Sequence, residues 1–358
     1  MHTVQSLAPY TRLKEYAAAH PRLRYLFLEL TTQCNLRCRH CGSRCPTLKE
    51  TEYVGTETLL QVIDEVCGFV PPDQFMLCLT GGEPLLRPDW DRIGAYITAK
   101  GVPWGMTTNG TLIDEDVVRR MAESGMKTIS VSLDGLKENH EWLRGVNGCY
   151  EKALSGLRLL AESEKFLCVQ ATTVVNSRNI GDLESMYELL GGIGVQSWKI
   201  VATEPIGDAV GQDELFLSPA QYRKMLDFIQ EKRAQGGMEV SFGCSHFLPD
   251  EYETAVRDSR FHCGAGIFIA SISAKGEILG CLDIDDRKTT CQGSVYADSF
   301  RDVWENRFKL FRQPRSLKGC ICEACQYAGF CRGDSWHTWD FQKNAPRICL
   351  MDHLKKEI

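Results

Sequence analysis

Residues 31–41 read Thr-Thr-Gln-Cys-Asn-Leu-Arg-Cys-Arg-His-Cys and directly follow an apolar segment. This run holds three cysteines, Cys34, Cys38 and Cys41, separated by three and then two residues. Thiolates at this spacing can bind three irons of a cubic iron–sulfur cluster. Because such clusters are usually held by four cysteines, the fourth iron would stay open to another ligand. The alternative interpretations are buried structural thiols and a zinc site.

The composition limits the classes of protein to which the chain can belong. With 358 residues and 43% apolar content, the chain can bury a large core, and we expect two structural units. A formal net charge of −6, without basic runs interleaved with aromatics, predicts no nucleic-acid partner. The sequence has no apolar run near the roughly 20 residues of a membrane span. It begins without a signal-peptide pattern. We therefore predict a cytoplasmic protein with no membrane partner.

Seventeen cysteines in such a chain predict metal sites rather than disulfides, because the cytosol keeps thiols reduced. Most of them fall into two groups near the two ends of the sequence. The first group occupies positions 34, 38, 41 and 45, and the second occupies positions 263, 281, 291, 320, 322, 325, 331 and 349. Four cysteines with apolar neighbours are interpreted as small buried hydrophobic residues: Cys67, Cys78, Cys149 and Cys168.

Strand-like and helix-like segments alternate from residue 25 to about residue 235. This alternation predicts parallel pairing with right-handed crossovers, and so an α/β fold with a partial (βα)6 TIM-like barrel, open on one side. In such barrels the chemistry gathers where strands end and loops begin, and Cys34 lies at this rim. The predicted strands are 25–30, 75–79, 103–107, 128–133, 167–174 and 197–201. The predicted helices are 56–69, 88–100, 114–123, 150–163, 180–190 and 219–235.

The pattern changes after residue 238. Two strand-like runs, 264–273 and 275–282, surround an Ala-Lys-Gly-Glu turn and predict a hairpin. A short amphipathic helix over 299–308 precedes closely spaced cysteines with few apolar residues between them, a composition that needs metal to fold. We therefore divide the chain into an N-terminal extension (1–24), a partial barrel (25–237) and a small cysteine-rich domain (238–358).

A glycine-rich motif follows the second predicted strand. It reads Gly81-Gly82-Glu83-Pro84, and its two glycines let the backbone come close to a ligand. The Glu83 carboxylate can accept a hydrogen bond from an ammonium group, and an ordinary turn is the alternative. Asn109, after the third predicted strand, is a further candidate at the rim, and it can instead simply shape a turn.

The fourth predicted strand ends in polar residues that suit ribose hydroxyls. Ser132 and Asp134 alternate with apolar residues, so both side chains leave the same face of the strand as it meets the rim. The segment continues to Arg144. A solvated strand end is the alternative interpretation.

The cysteine loop and the glycine-rich motif together resemble those of the radical S-adenosylmethionine (radical SAM) enzymes. The resemblance implies a [4Fe–4S] cluster on Cys34, Cys38 and Cys41, whose open iron binds the amino and carboxylate groups of S-adenosylmethionine (SAM). It also implies that one electron, from a donor such as flavodoxin or ferredoxin, yields a 5′-deoxyadenosyl radical that removes a substrate hydrogen. The residues implied for SAM binding are His40, Gly81, Gly82, Glu83, Pro84, Asn109, Ser132, Asp134 and Arg144.

Two residues in or near the cysteine loop need separate comment. His40 stands where the family usually carries an aromatic residue before the third cysteine, and its flat ring can pack on the adenine. Cys45 completes the run Cys41-Gly-Ser-Arg-Cys45. A fourth thiolate there would close the open iron, so we interpret Cys45 as a non-ligand near the pocket.

The C-terminal cysteines resemble the SPASM-type extension of radical SAM enzymes. Cys263 and Cys281, with Gly276 between them, match the start of that extension. The resemblance implies one or two auxiliary iron–sulfur clusters, although four thiolates at this spacing would suit zinc equally well. The ligands implied for the second auxiliary cluster are Cys322, Cys325, Cys331 and Cys349.

The sequence departs from the SPASM pattern at Ser335, where the family has a cysteine that helps to ligate the first auxiliary cluster. That site then needs help from Cys244, Cys291 or Cys320. The outcomes left open are a rescued cluster, a smaller or open cluster, and no cluster. Cys244 can alternatively return a hydrogen atom to a substrate radical or be a buried thiol. His246 is interpreted as solvated surface.

The substrate is predicted from the resemblance. SPASM-bearing relatives most often modify peptides or proteins, so we expect a peptide substrate and its crosslinking, epimerisation or oxidation. Residues 1–24 are too short for a separate leader-peptide-binding domain, which argues against a peptide. The alternatives are a small molecule, such as an antibiotic sugar undergoing dehydrogenation or epimerisation, and a non-catalytic, zinc-stabilised binding module.

Overall fold

A mostly parallel, ten-stranded sheet forms the centre of the computed structural model, which describes residues 4–45, 52–243 and 246–355. The strands of this sheet are β1 (Tyr25–Glu29), β2 (Met76–Thr80), β3 (Trp104–Thr108), β4 (Thr128–Ser132), β5 (Cys168–Val175), β6 (Ser197–Ala202), β7 (Glu239–Phe242), β8 (Ile269–Ile272), β9 (Glu277–Leu279) and β10 (Gly293–Ser294). A separate two-stranded sheet pairs β11 (Trp339–Asp340) with β12 (Ala345–Pro346).

Helices follow most of the strands. They are α1 (Val4–Ala19), α2 (Thr56–Cys67), α3 (Trp90–Ala99), α4 (Glu115–Glu123), α5 (Lys137–Arg144), α6 (Cys149–Glu162), α7 (Leu183–Ile193), α8 (Pro219–Gln235), α9 (Asp250–Glu253), α10 (Arg287–Thr290), α11 (Phe300–Asn306), α12 (Lys309–Arg312), α13 (Ala328–Cys331) and α14 (Leu350–His353). Short 3₁₀ turns occur at Pro72–Gln74, Pro84–Leu86, Gly207–Ala209 and Asp213–Leu215. Within the described ranges, no helix has the length and apolar character needed to span a membrane.

The strand order in the main sheet is β10-β9-β8-β1-β2-β3-β4-β5-β6-β7. Every pair from β8 and β1 through to β6 and β7 is parallel. The predicted α/β fold with an open, TIM-like partial barrel is confirmed. Two strands besides the six predicted barrel strands also join this parallel arrangement. They are β7, which was not predicted, and β8, which belongs to the predicted hairpin. β7 is a four-residue run, Glu-Val-Ser-Phe, and so short an alternation gives little signal in the sequence.

The cysteine-rich part of the chain contributes to the same sheet as the barrel. The predicted hairpin is present with shorter strands, because β8 and β9 pair antiparallel. In addition, β8 lies parallel to β1, from Tyr25 opposite Ile269 to Leu28 opposite Ile272. The sheet therefore continues across residue 238, and the division of the chain at that position stays a prediction.

The six predicted helices are present with ends shifted by at most a few residues, whereas α1 and α5 were not predicted. Local capping explains some of the boundaries: Ser218 and Gln221 form a reciprocal capping box at the start of α8. α5 has the sequence Lys-Glu-Asn-His-Glu-Trp-Leu-Arg, whose few apolar residues give a weak helical pattern. α1 contains Pro9, which also weakens its sequence signal.

The close packing of α3 on β3 generates a stability prediction. A methyl group at Gly94 would lie 2.6 Å from Cη2 of Trp104, a fully buried ring. Gly94→Ala should therefore destabilise the fold by about 1–3 kcal/mol through overpacking, measured as the free energy of unfolding in urea. Gly191→Ala is the matched control, because this exposed glycine in α7 has no atom within 4 Å of the added methyl group. The control should be neutral or stabilising by up to about 1 kcal/mol. Equal effects of the two substitutions would contradict the packing described.

Candidate functional site

The cysteine loop follows β1 and lies at the carboxyl ends of the parallel strands. Its backbone is fixed to the end of α5: Arg37 donates from its backbone N–H to the carbonyl of Arg144 at 3.1 Å, and Arg39 donates to that of Leu143 at 2.9 Å. Gly145 has a φ of +71° and packs directly on the Arg37 carbonyl, where a side chain would clash. The loop that carries Cys34, Cys38 and Cys41 is therefore positioned by the fourth strand–helix unit as well as by its own.

The glycine-rich motif packs against the backbone of the cysteine loop. Gly82 donates to the carbonyl of Thr31 at 2.8 Å, and Glu83 donates to that of Gln33 at 2.7 Å. A methyl group at Gly82 would lie 2.7 Å from the carbonyl carbon of Gln33, so the contact requires glycine. The close approach in the structure is therefore between two loops of the chain, whereas the predicted approach was to a ligand. A contact of Gly81, Gly82 and Pro84 with a ligand stays a prediction.

Glu83 joins the glycine-rich motif to the end of β3. Its side chain is fully buried and accepts hydrogen bonds from the Thr108 hydroxyl at 2.7 Å and the Asn109 backbone N–H at 2.8 Å. The Leu85 backbone N–H donates to it as well, at 3.1 Å. Burial raises the pKa of Glu83, and these hydrogen bonds act in the opposite direction. Both oxygens of the Glu83 carboxylate therefore accept hydrogen bonds that connect the glycine-rich motif to the end of β3.

Asn109 connects the end of β3 to the cysteine loop. Its amide group donates to the side-chain oxygen of Asn35, between Cys34 and Cys38, at 2.8 Å. Its own side-chain oxygen accepts from Thr111, whose hydroxyl also accepts from Asn35 at 2.8 Å. Asn35 was not singled out in the sequence, because a link between residues 74 positions apart leaves no local pattern.

A buried ion pair lies behind the second cysteine. The Asp134 carboxylate accepts from Nε of Arg144 at 2.5 Å and from the Val174 backbone N–H at 2.8 Å. The same guanidinium donates through Nη1 to the sulfur of Cys38 at 3.6 Å. Burial raises the pKa of Asp134, but the positive charge of Arg144 opposes this effect, and the pKa lies below its usual value. Arg144 thus places a fixed positive charge against a predicted cluster ligand.

His40 and Ser132 complete the predicted cofactor site. Burial, reinforced by the nearby Arg144, lowers the pKa of His40 to about 4, so the imidazole is neutral near pH 7. Its Nδ1 is shielded from solvent and has no hydrogen-bond partner among the residues that the structure describes. Ser132 is the half-buried last residue of β4, opposite Thr172 of β5. These placements are compatible with the predicted contacts to adenine and ribose, which stay predictions.

Comparisons with known proteins agree with this arrangement. The sequence profile of the Radical SAM superfamily matches residues 28–190. The chain is 29% identical over 330 residues to the AdoMet-dependent heme synthase of Methanosarcina barkeri, covering 87% of this chain and 90% of that protein. It is 31% identical over 313 residues to the mycofactocin maturase MftC of Mycobacterium ulcerans, covering 85% and 80%. The chain belongs to the radical SAM superfamily.

Structural comparison agrees on the fold. The crystal structure of Streptococcus suis SuiB bound to its precursor peptide SuiA matches with a TM-score of 0.73 at 15% identity, covering 96% of this chain and 79% of that chain. Membership of the radical SAM superfamily implies SAM and a [4Fe–4S] cluster. The residues present fit both groups, because three thiols share one loop, a guanidinium faces one of them, and the shielded Nδ1 of His40 has no partner in the described part of the chain.

Cys45 of this radical SAM protein lies beside the predicted cluster ligands. Its sulfur is 3.8 Å from that of Cys41. The structure therefore places Cys45 near the pocket, and its status as a non-ligand stays a prediction. The loop after β6 covers the same region, since Asp208 donates from its backbone N–H to the Cys41 carbonyl at 2.9 Å.

Most of the cysteines from residue 263 onward belong to one of two groups in the structure. Cys322 lies in the larger group, where burial, followed by the negative charges of the neighbouring cysteines, raises the pKa of this thiol to about 12. Electrostatic interactions connect Cys322 with Cys320, Cys325 and Cys349, and connect Cys349 with Cys331. We therefore group Cys320 with the four predicted ligands of the second auxiliary cluster, and their role as ligands stays a prediction. This five-cysteine group consists of Cys320, Cys322, Cys325, Cys331 and Cys349.

The two cysteines implied for the first auxiliary site line a cavity of about 380 Å³. Cys263 and Cys281 line it together with Ser335. Two histidines that the sequence analysis did not consider, His262 and His337, line the same cavity.

The three cysteines expected to help the first auxiliary site have different positions. Cys320 lies in the five-cysteine group. The thiol of Cys291 donates to the Gly293 carbonyl at 3.4 Å. Cys244 lies outside the described residues, so its predicted roles stay predictions. Within the described part of the chain, this cavity has two cysteines, one serine and two histidines in place of a set of four thiols.

The prediction that His246 is solvated is wrong, because its side chain is fully buried. Its Nδ1 lies 2.6 Å from the Asp334 carboxylate, and its Nε2 lies 2.8 Å from the Glu204 carboxylate. Burial lowers the pKa of His246, but the two carboxylates outweigh this effect and raise it to about 10. The imidazolium therefore links the end of the barrel strand β6 to the cysteine-rich region. Both carboxylates are distant from His246 in sequence, so no local pattern predicts these contacts.

The Arg144 arrangement predicts a coupled loss of stability and cluster. In Arg144→Met, Asp134 stays buried without its partner, which should cost about 3–5 kcal/mol in the free energy of unfolding. The loop that holds Cys38 also loses a charged contact, so the iron content per chain after anaerobic purification should fall. Arg158→Met removes an exposed arginine from α6 and serves as the control, with an expected change within about 0.5 kcal/mol. Normal stability and iron content in Arg144→Met would contradict the role assigned to the pair.

Proposed function

We propose that this radical SAM protein is an enzyme that cleaves SAM reductively and removes a hydrogen atom from a peptide substrate. The observation that supports the proposal is the joining, at one rim of the barrel, of the cysteine loop, the glycine-rich motif and Arg144 through direct hydrogen bonds. These segments follow three different strands and meet at the rim where a cofactor would bind.

When bound, the cluster and SAM would supply a 5′-deoxyadenosyl radical, after transfer of one electron from a donor such as flavodoxin or ferredoxin. Cys34, Cys38 and Cys41 would hold the cluster. Arg144 stabilises negative charge beside Cys38, and the neutral ring of His40 can pack on the adenine. The barrel wall would exclude water and competing hydrogen donors from the reacting atoms.

We propose the five-cysteine group as the ligands of an auxiliary iron–sulfur cluster, with four of its thiolates as ligands. The cavity at Cys263 and Cys281 lacks a four-thiolate set within the described residues. A single auxiliary cluster, and so two clusters in all, is therefore the composition that we favour. Its role would be to accept an electron from the substrate after hydrogen removal.

A peptide substrate is supported by the relatives. The chain resembles a mycofactocin maturase over most of both proteins, and the SuiB structure of the same fold contains a precursor peptide. A barrel of this kind can therefore admit an extended chain. Crosslinking, epimerisation and oxidation all begin with removal of a hydrogen atom, and the arrangement of the cofactor site does not distinguish them.

A second candidate function is a step in heme synthesis. The relative from Methanosarcina barkeri is named an AdoMet-dependent heme synthase, and it aligns with 87% of this chain over 90% of its own length. The substrate would then be an iron porphyrin, a rigid planar molecule rather than a peptide.

Loss of one cluster ligand tests the proposed chemistry. Cys38→Ala should lower the formation of 5′-deoxyadenosine by at least about a hundredfold, because removal of an essential group typically has effects of this size or larger. Chromatography after anaerobic reduction with dithionite measures the product, with no substrate needed. Cys67→Ala, a half-buried cysteine at the end of α2, is the control and should keep normal cleavage. Equal cleavage in the two variants would refute the assignment of the cysteine loop.

Isotope transfer distinguishes the two substrate classes. Reduced enzyme is incubated with SAM and, in separate reactions, with one of three deuterated substrates: short peptides encoded beside the gene, an iron porphyrin, or an amino sugar. The peptide proposal expects deuterium in 5′-deoxyadenosine with the peptides alone, detected by mass spectrometry. Deuterium transfer from the porphyrin, together with a change in its absorbance, would replace the peptide proposal with the heme candidate. Transfer from the sugar alone would exclude both.

A further inference from the structure

Helix α1 places a lysine inside the cysteine-rich region. The Lys14 side chain is 7% exposed, although α1 lies at the other end of the sequence from the cysteines that surround it. Its ammonium donates to the carbonyl of Phe330 at 3.1 Å, one residue before Cys331. It also lies 3.5 Å from the centre of the Phe330 ring and 5.1 Å from that of Phe261. A charged ammonium is costly to bury, so its surroundings must offset that cost.

Lys14 lies beside two cysteines, and no carboxylate among the described residues forms a salt bridge with it. Lys14 lines a small cavity together with Cys331 of the five-cysteine group and with Cys263, which also lines the neighbouring cavity. Burial lowers the pKa of Lys14 to about 8. The negative charges of Cys331, Glu253 and, more weakly, Cys263 act to raise this pKa, and the positive charge of Arg332 acts to lower it. Neither of the carboxylates near this cavity is free to pair with the lysine.

Both of these carboxylates are held by other groups. Glu253 accepts from Arg257 at 2.9 Å and from the Leu248 backbone N–H at 2.9 Å. Asp334 is held by His246 and by the Phe247 backbone N–H, at 2.6 and 2.9 Å. Across the residues that the structure describes, Lys14 forms no salt bridge with a carboxylate at or below 4.0 Å.

We infer that Lys14 is an electrostatic tuning residue for the auxiliary iron–sulfur cluster held by the five-cysteine group, an inference that rests on the proposed function. Net charge and hydrogen bonding around the sulfurs set the reduction potentials of such clusters. The reduced form carries one more negative charge than the oxidised form, and a buried ammonium next to Cys331 stabilises it. Lys14 therefore makes the cluster a better acceptor of the electron that a substrate radical releases.

Two other cations line the same cavity, and their contacts differ from those of Lys14. Arg315 lies between two indole rings, 3.9 Å from the centre of Trp336 and 4.1 Å from that of Trp339, and donates to the Gly333 carbonyl. Arg332 lies 3.5 Å from the Glu15 carboxylate. Lys14 is the cation of the three that bonds the backbone directly before a cluster ligand.

A charge-deleting substitution separates tuning from packing. Lys14→Met keeps most of the apolar stem and removes the charge, whereas Arg12→Met removes an exposed charge from the same helix as the matched control. Iron and acid-labile sulfide are counted first, and the midpoint potential is then measured by anaerobic redox titration with EPR detection. Lys14→Met should contain the normal amount of iron and show a more negative potential for the auxiliary cluster alone. Arg12→Met should match the unsubstituted enzyme.

The possible results distinguish the inference from the proposal beneath it. An unchanged auxiliary potential in Lys14→Met with a full complement of iron would overturn the inference. An unsubstituted enzyme with a radical SAM cluster and no auxiliary cluster would instead overturn the proposed cofactor content. Should Lys14→Met lose the auxiliary cluster, Lys14→Arg decides the matter, because it keeps the charge: a normal potential supports tuning. Loss of that cluster in both variants would show a packing role and reject the inference.

Discussion

The ion pair between Asp134 and Arg144 is the interaction on which the rest of the site depends. Asp134 accepts hydrogen bonds from Arg144 and from β5, and the Arg144 carbonyl holds the cysteine loop that follows β1. Three separate parts of the barrel thus meet on two buried charges. A pair of this kind is costly to desolvate and costly to break, so its value lies in fixing one geometry. Here that geometry directs a guanidinium toward Cys38.

The hydrogen bonds around Glu83 also fix the geometry of the rim, and their donors are uncharged. A fully buried carboxylate collects two backbone N–H groups and one hydroxyl, and so ties the glycine-rich motif to the end of β3. The Asn109 side chain then donates a hydrogen bond to Asn35 in the cysteine loop. The polar groups at the rim satisfy one another before any ligand enters, which is the usual way in which a binding site is preorganised.

The sequence predicted those features of the fold that depend on local pattern. The strands of the barrel are short apolar runs, and the helices between them have an amphipathic period, so the sequence predicts their positions. β7 and α5 were missed because one is four residues long and the other is mostly polar. The parallel pairing of β8 with β1 joins residues about 240 positions apart, and neither segment has a local pattern that predicts this pairing.

The candidate site was predictable to the same extent and for the same reason. Motifs placed Cys34, Glu83 and Asp134 after the ends of three parallel strands, and they lie after β1, β2 and β4. The sequence could not show that Glu83 bonds within the chain, or that His246 is buried between two carboxylates. Those contacts depend on side chains brought together by the fold, and the chemistry of one residue does not reveal its partner.

The pairing of β8 with β1 has a consequence for how the protein folds and how it can be divided. A fragment that ends at residue 237 would contain the cysteine loop, yet one side of its first strand would present bare N–H and C=O groups to solvent. Such a strand is a template for association with other chains. The cysteine-rich region therefore covers this edge of the barrel and protects it from association. We expect the barrel and the cysteine-rich region to unfold in a single cooperative transition.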